Sequence, residues 1–468
     1  MTDTSWLEVD LVALRHNIKT WRQMLDRPNS QGGPARLCAV LKADAYGTGA
    51  GEVARCLDQG GADMFAVYSP AQAHDLLAHP ITRPILILMP VRTKPETARL
   101  HHAMLAGQLH LSIDSPDQLV TVNSIGASYD CRVPIHLAVD SGMSRGGLPV
   151  EQLGAVLKKV ATLRHVKLSG IWTHFAAADS EAEFTQSQLD LFQGAVGEHK
   201  AHIADTVLLH AAATHAALRD SKYHLDMVRI GLGLYGYGAP AWMTAARGFA
   251  GCHGSRRSAD ETRVDARDGS DFEDHLNSSD TGIFDAFETV DGHEVIQPQS
   301  AQLQPAIRWR SRIVHVRKYA AGATVGYGCT ASLARDSYLG IVPVGYADGL
   351  PLALTNKGCV RLLKSRGQAD ESAIHAPIVG RVNMDQIIID LTPARGGTGA
   401  PLAQLEDVVE IISDDPTSPC YLPALAAAAS SSPYEVLCRI SPRIGRVYTS
   451  TAPAAVAMAS DRLKVSAV

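Results

Sequence analysis

The stretch RLCAVLKADAYG, residues 36–47, begins with a short apolar run that ends at Lys42. An amphipathic segment, Glu52–Gln59, follows it, and a buried strand followed by a helix is the repeating unit of a parallel sheet. The unit recurs up to about residue 236, giving about eight strands, the number that closes a TIM barrel. We predict strands at Arg36–Lys42, Asp63–Val67, Pro84–Leu88, Leu109–Ile113, Val133–Asp140, His165–His174, Thr206–His210 and Met227–Arg229.

The alternation of strands and helices stops before the middle of the chain, and the pattern then changes to short strands separated by Gly, Pro and Asn. Such a pattern is typical of an all-β domain. The predicted fold is therefore an α/β TIM barrel followed by an all-β C-terminal domain. Crossover helices are expected at Glu52–Gln59, Ala71–Ala78, Pro95–Ala106, Glu151–Thr162 and Glu181–His199. Strands of the second domain are expected at Ile307–Tyr319, Leu339–Val344, Cys359–Leu363, Ile378–Val382, Ile387–Leu391 and Asp407–Ile412.

These patterns divide the chain into four parts. Residues 1–240 form the barrel, although the first residues are also candidates to pair with the second domain. Residues 241–300 are rich in Ser, Asp, Glu and Gly and are expected to form a mobile acidic insertion. Residues 301–450 form the β-domain, and residues 451–468 a flexible tail.

Composition narrows the functional class. Hydrophobic residues make up 46% of the chain, charged residues 19%, and the formal net charge is -5, which favours a globular enzyme over a nucleic-acid binder. The eight cysteines are scattered without a CxxC spacing, so neither a zinc site nor a disulfide framework is predicted. No secretion signal or membrane span is apparent, and we expect a cytoplasmic protein.

Lys42 ends the first barrel strand, where this fold carries its active site. A lone lysine there is more often a solvated surface residue. Other strand ends, however, carry Arg145, His174 and Arg229. Thr214 and the backbone N–H groups of Gly231 and Leu232 follow the seventh and eighth strands, the usual phosphate site of the fold. A phosphate site beside a lysine suggests pyridoxal phosphate.

Eight motifs occur in one order that resembles the alanine racemases. They are AVLKADAYG, VDSGMSR, THFAAAD, DMVRIGLGLYG, VGYG, GYADG, GRVNMDQ and YEVLCRISPRIGRVY. The resemblance runs from about Trp6 to Tyr448 and leaves out only the acidic insertion. It implies a pyridoxal-phosphate isomerase that interconverts L-alanine and D-alanine for peptidoglycan, and it implies a homodimer whose sites are shared between subunits.

The resemblance also assigns roles. Lys42 would hold the cofactor and act as the base for D-alanine, and Tyr327 of the partner subunit would be the base for L-alanine. His174 would link Tyr327 to Arg229, which faces the pyridine nitrogen. The cofactor-binding set is Lys42, Tyr46, Arg145, Thr214, Arg229, Gly231, Leu232 and Tyr434. Arg145, Met384 and Tyr346 would contact the substrate, with Asp179 and Arg446 at the entrance and no metal involved.

Four positions depart from the family pattern. Ala138 replaces a lysine whose carbamate orients the arginine equivalent to Arg145, and Ala213 replaces an asparagine next to Thr214. Thr48 and Leu352 replace a histidine and an arginine. These departures leave open a broad-specificity racemase of small amino acids. Two further hypotheses are a non-catalytic pyridoxal-phosphate-binding protein and a barrel-fold decarboxylase, although a decarboxylase gives Tyr327 no role.

Overall fold

The computed structural model describes residues 4–26, 32–238, 303–363, 374–393 and 399–450. The predicted acidic insertion and C-terminal tail both lie outside the described residues. The first part of the chain contains nine strands and eight helices that are relevant to the site. The strands are β1 (Ser5–Asp10), β2 (Arg36–Val40), β3 (Met64–Val67), β4 (Ile85–Ile87), β5 (Leu109–Ile113), β6 (Val133–Asp140), β7 (Val166–Trp172), β8 (Leu208–His210) and β9 (Met227–Ile230). The helices are α1 (Leu11–Met24), α2 (Ala50–Gly60), α3 (Pro70–Leu76), α4 (Ala98–Leu105), α5 (Pro116–Ser128), α6 (Leu153–Thr162), α7 (Ala182–Glu198) and α8 (Thr214–Arg219).

Strands β2 to β9 form the predicted barrel. They pair in parallel in the order β9-β2-β3-β4-β5-β6-β7-β8, and a bridge between Ala213 and Arg229 joins the two ends. The TIM-barrel prediction is confirmed, and each predicted strand lies within a few residues of an observed one. Helices α1, α5 and α8 were not among the predicted crossover helices, and in α5 the apolar residues are not confined to one face, so its helical period is weak.

The second domain is built on two mainly antiparallel sheets. Its strands are β10 (Ile307–Arg312), β11 (His315–Tyr319), β12 (Ser337–Val342), β13 (Cys359–Leu362), β14 (Ile374–Pro377), β15 (Ile387–Asp390), β16 (Val408–Ile412) and β17 (Gly445–Thr449). The six-stranded sheet has the order β14-β13-β16-β10-β1-β17, and the three-stranded sheet has the order β11-β12-β15. Strand β1, from the N-terminus, lies inside the larger sheet, antiparallel to β10 and parallel to β17.

Several details of the second domain differ from the sequence prediction. The single strand expected at Ile307–Tyr319 is two strands, β10 and β11, which lie in different sheets. The strand expected at Ile378–Val382 is wrong, because β14 ends at Pro377 and Gly380 adopts a φ of 82° that extended backbone does not allow. The domain also contains two short helices, α9 (Leu422–Ala428) and α10 (Pro433–Arg439). A serine, Ser432, caps α10 by accepting from the backbone N–H of Glu435, with proline at the first helical position.

The two domains share one continuous cluster of buried apolar side chains, with Trp21 and Trp309 among its largest members. Packing against this cluster brings α10 onto the segment that follows β2, so the second domain contributes to the barrel mouth. Among the described residues, no helix combines the length and the apolar character needed to cross a membrane.

Candidate active site

Lys42 begins a left-handed turn at the mouth of the barrel. Side chains alternate along a strand, so Cys38 and Val40 share one face of β2, and Lys42 follows the end of that strand. Residues Lys42–Gly47, which we call the lysine turn, include four consecutive residues, Ala43 to Tyr46, with φ between 53° and 61°. Left-handed backbone costs about 1–2 kcal/mol for each non-glycine residue, so the surrounding structure must hold this turn in place.

Hydrogen bonds from both domains hold the lysine turn. The Thr48 hydroxyl donates to the Ala45 carbonyl at 2.6 Å and lies 2.8 Å from the Tyr235 hydroxyl, which itself donates to Ala45 at 2.9 Å. Arg446 donates through Nε to the Gly47 carbonyl at 2.9 Å. Thr48, one of the departures from the family pattern, therefore has a structural role in supporting the turn.

Three cations meet at the mouth. Partial loss of solvent lowers the pKa of Lys42, and the charges of Arg145 and Arg229 lower it further, against the opposing effect of the Cys438 thiol. None of the salt bridges in the described part of the chain includes Lys42, Arg145 or Arg229. Positive charge without carboxylate partners is suited to an anionic ligand.

Arg145 stands on a loop that one carboxylate organises. Asp140, at the end of β6, accepts from the backbone N–H groups of Gly142, Met143 and Ser144 at 3.0, 2.9 and 3.0 Å. The Arg145 side chain is exposed. Ala138, 8% exposed, lies on β6 below this loop and offers only a methyl group. The side chain at position 138 therefore cannot hydrogen-bond to the guanidinium of Arg145.

Arg229 is buried near the end of β9, and four hydrogen-bond acceptors surround its two terminal nitrogens. Its NH2 group donates to the carbonyls of Thr173 and Ala211, each at 2.8 Å, and lies 3.0 Å from Nδ1 of His174. Its NH1 group lies 2.8 Å from Nδ1 of His210. Burial lowers the pKa of Arg229 to about 10, so the guanidinium remains charged near neutral pH.

His174 stays neutral in this environment. Burial lowers its pKa to about 3, and the charges of Arg229, Arg145 and Lys42 add to the effect. Because the Arg229 guanidinium can only donate, Nδ1 of His174 accepts and the proton of the neutral ring lies on Nε2. The structure thus joins two of the predicted catalytic residues and leaves an N–H of His174 available to a third group.

The predicted phosphate ligands also converge. The Thr214 hydroxyl accepts from the Gly233 N–H at 3.2 Å, and Leu232 begins a single 3-10 turn, Leu232–Tyr235. The N–H of Leu232, at the first position of that turn, has no acceptor within it. A Cβ on Gly231 would lie 2.1 Å from the Tyr46 hydroxyl, so only glycine permits this close approach.

Tyr434 reaches the same region from α10. Its ring centre lies 5.8 Å from that of Tyr46. Burial raises the pKa of Tyr434 to about 12, with a contribution from the charge of the nearby Asp179, so its hydroxyl keeps its proton as a donor. Asp179 is itself exposed at the rim. Ala213 precedes α8 and carries no amide that could add to these donors.

Three site residues predicted from the β-domain, Tyr327, Met384 and Tyr346, lie exposed on the surface of that domain. Tyr327 is 71% exposed, Met384 54% and Tyr346 45%, and Leu352, at 42%, is exposed as well. A phenol so open to solvent cannot also pack on Lys42 of its own chain. Arg446, in contrast, is engaged by the carbonyls of Gly47, Ser441, Ile444 and Ile440 and clamps the lysine turn to the β-domain.

Sequence reasoning missed three side chains at this site. His210 receives an Arg229 N–H, and the Trp172 ring centre lies 4.9 Å from the Arg229 guanidinium carbon. Cys438 is close enough to Lys42 to affect its pKa. His210 and Trp172 lie at or near the ends of predicted strands, and this position is a signal that could have identified them.

A (β/α)₈ barrel with unpaired cations at its mouth, joined to a β-domain, defines a class of two-domain barrel enzymes that bind small anionic ligands. Two family profiles identify which member of this class the chain is. The profile described as "Alanine racemase, N-terminal domain" matches residues 9–239, and the profile described as "Alanine racemase, C-terminal domain" matches residues 306–448. The chain belongs to the alanine racemase family.

Individual relatives agree with the family profiles. An alanine racemase of Nostoc sp. is 31% identical over 447 residues, covering 95% of this chain and 95% of that protein. One from Symbiobacterium thermophilum is 30% identical, covering 95% and 97%. The crystal structure of alanine racemase from D-cycloserine-producing Streptomyces lavendulae has a TM-score of 0.72 at 25% identity, covering 97% and 98%. The Bartonella henselae alanine racemase structure, with covalently bound pyridoxal phosphate, has the same fold, with a TM-score of 0.68 at 24% identity and coverage of 96% and 100%.

Proposed function

We propose that this chain interconverts L-alanine and D-alanine with pyridoxal phosphate held at Lys42. The observation that carries the proposal is the meeting of unpaired Lys42, Arg145 and Arg229 with the donors Tyr46, Thr214 and Tyr434 at one barrel mouth. The cofactor carries a phosphate and a phenolate and attaches to a lysine amine, and these donors suit each group. When bound, it withdraws electrons from the attached amino acid and makes its Cα proton removable.

The residues of the chain would then move that proton between two faces. Nζ of Lys42, when it is not holding the cofactor, takes the proton of D-alanine or returns it. Its lowered pKa supports this role, because more of the amine is neutral near pH 7. Oη of the partner subunit's Tyr327 would do the same for L-alanine. The Nε2–H of His174 would hydrogen-bond to that phenol and lower the pKa at which it gives up its proton.

Arg229 would contact the pyridine nitrogen without protonating it. The guanidinium is charged, is held by two backbone carbonyls and two histidines, and has no proton to give up at neutral pH. A nitrogen that stays unprotonated withdraws fewer electrons. The proton removed from Cα would therefore return quickly to the same carbon, which favours racemisation over other reactions of the cofactor.

Exposure of the second base supports a homodimer. Tyr327, Met384 and Tyr346 are large side chains that lie open to solvent on the β-domain, where a second chain could contact them. A partner chain that places its Tyr327 and Met384 over Lys42 would supply that base. Arg145 and the Met384 backbone N–H would then bind the substrate carboxylate from two different chains.

A complementation experiment tests the shared site. Lys42→Ala and Tyr327→Phe chains are each expected to be inactive alone. Unfolded together and refolded, they should form mixed dimers in which one site has both bases and the other has neither. Recovery of activity toward a quarter of the wild-type value supports the proposal, because half of the dimers are mixed and each has one working site of two. No recovery in mixtures shown to exchange subunits contradicts it.

The cofactor is tested separately. Reduction of the purified protein with borohydride followed by peptide mass spectrometry should find the pyridoxyl group on Lys42 and on no other lysine. Labelling elsewhere, or none, rejects the cofactor assignment. We also propose that the protein works in the cytoplasm and supplies D-alanine for peptidoglycan, which is supported by its membership of the alanine racemase family.

A further inference from the structure

Three histidines continue the hydrogen-bond network of Arg229 through the interior of the barrel. Nε2 of His210 lies 2.9 Å from Nδ1 of His136, and Nε2 of His136 lies 2.9 Å from Nδ1 of His110. The three residues come from β8, β6 and β5. His210 and His136 are completely buried, and His110, near the start of its strand, is partly buried. We call His210, His136 and His110 the histidine chain.

The charge of Arg229 determines where every proton of the histidine chain lies. A guanidinium can only donate, so Nδ1 of His210 accepts from Arg229 and the neutral ring carries its proton on Nε2. That N–H donates to Nδ1 of His136, which must then carry its own proton on Nε2 and donate to His110. Because Nδ1 of His110 accepts from His136, the proton of the His110 ring lies on Nε2, on the side away from Arg229.

Protonation of the chain is disfavoured at each position. Burial lowers the pKa of His210 and His136 well below the usual value, with Arg229 adding its charge to both and the neighbouring histidine adding to each. Burial lowers the pKa of His110 to about 4, and the charge of Lys167 contributes. The charged groups at the two ends, Arg229 and Lys167, are both positive. The histidine chain is therefore a row of neutral imidazole rings whose N–H groups all lie on the side away from Arg229.

The sheet is adapted to hold the middle ring. Strands β6 and β7 shift register between Ile135, opposite Leu168, and His136, opposite Gly170. A Cβ at position 170 would lie 2.2 Å from Nδ1 of His136, so glycine provides the space for the ring. The Trp172 ring stacks on His210 at an interplanar angle of 9°. Irregularities of this kind in a sheet commonly adjust side chains near active sites.

We propose that His136 and His110 are positioning residues for Arg229, acting through His210 as a chain of neutral Nε2–H imidazoles. The chain provides His210 with an acceptor in the barrel interior and so keeps its Nδ1 directed at NH1 of Arg229. The guanidinium plane is thereby fixed, with NH2 toward His174. The effect on catalysis rests on the proposed racemase function, whereas the proton positions do not.

Nitrogen-15 solid-state NMR of histidine-labelled protein tests the proton positions directly. The shifts distinguish the two neutral tautomers from the charged ring, and a His136→Asn variant assigns the signals of the histidine chain by difference. We expect His210, His136 and His110 to be neutral Nε2–H tautomers from pH 7 to pH 5. A charged ring or an Nδ1–H tautomer at His210 or His136 overturns the proposal, whether or not the protein racemises alanine.

Kinetics of three variants test the positioning role. His136→Leu removes the acceptor of the His210 N–H and should lower kcat about tenfold with KM little changed, as expected for a lost buried hydrogen bond. His136→Asn keeps an amide oxygen where Nδ1 lies and should regain most of that loss. His202→Asn, at an exposed histidine, is the matched control. Equal kcat in His136→Leu and His136→Asn overturns the positioning role, while correct tautomers with no racemisation in the wild type reject only the proposed function.

Discussion

On the barrel side of the candidate site, Arg229 and Thr214 are buried and hydrogen-bonded, whereas on the β-domain side Tyr327 and Met384 are exposed. Arg229 has donors directed at two carbonyls and two histidines, and Thr214 is 1% exposed. Tyr327 is 71% exposed and Met384 54%. A single chain therefore preorganises the buried part of the barrel half, and under the proposed homodimer a second chain covers the exposed residues of the β-domain.

The largest effect is expected at the centre of the barrel half. Replacing Lys42 with alanine should lower racemisation by at least about 10⁴-fold, because both the cofactor attachment and one base are lost. Assays in both directions and the absorbance of the purified protein measure the two losses. Lys158→Ala, at an exposed lysine of α6, should behave as the wild type. Retention of bound cofactor by Lys42→Ala would show that another group holds it.

The second prediction separates the two halves. Tyr327→Phe should reduce racemisation by about 10²–10⁴-fold while leaving cofactor binding intact. Because Lys42 remains, D-alanine should still exchange its Cα proton with deuterium from solvent, and L-alanine should not. NMR of each enantiomer in D₂O measures the exchange. Tyr319→Phe, at another exposed tyrosine of the β-domain, serves as control. Equal loss of exchange from both enantiomers would contradict the two-base arrangement.

The third prediction concerns the stability of the barrel half in acid. His136 and His210 have pKa values far below the usual one, and His174 titrates at about 3. The unfolded chain binds protons that the folded chain cannot, so stability falls as the pH drops below about 6.5. Each of these histidines should lower the free energy of unfolding by about 2 kcal/mol between pH 7 and pH 5.

Urea unfolding at several pH values measures this slope. His136→Asn should have a smaller slope than the wild type, because it removes one of the groups that take up a proton on unfolding. His202→Asn, at an exposed position, should leave the slope unchanged. A wild-type slope in His136→Asn would mean that His136 is not responsible for acid sensitivity.

The smallest effect is expected at the support of the lysine turn. Thr48→Val keeps the shape of the side chain and removes the hydroxyl that bonds to Ala45 and Tyr235. The loss should cost about 1 kcal/mol in the free energy of unfolding. Thr162→Val, at the exposed end of α6, is the control, with a change of less than about 0.5 kcal/mol. No difference between the two variants would indicate that the turn is held by other contacts.

Much of the barrel could be predicted from local patterns. Apolar runs with intervening amphipathic segments predicted all its strands, and the position of Lys42 at the end of a predicted strand placed it at the mouth. The β-domain was harder, because the strand at residues 374–377 is short and its neighbour Ile378 forms only an isolated bridge. The resemblance assigned Tyr434 to the site, but the helix α10 that carries it was not predicted, and its place over the lysine turn depends on packing between the two domains.

The sequence by itself determined which chemical groups are present and at which strand ends they lie, because the two-residue period of a strand is a local property. Only the tertiary structure decided which of these groups meet. His110 and His136 are 26 residues apart, and His136 and His210 are 74 apart, yet barrel closure places them within 2.9 Å. The burial of these histidines, and with it their neutral state, follows from that closure, and the exposure of Tyr327 follows from the packing of the β-domain.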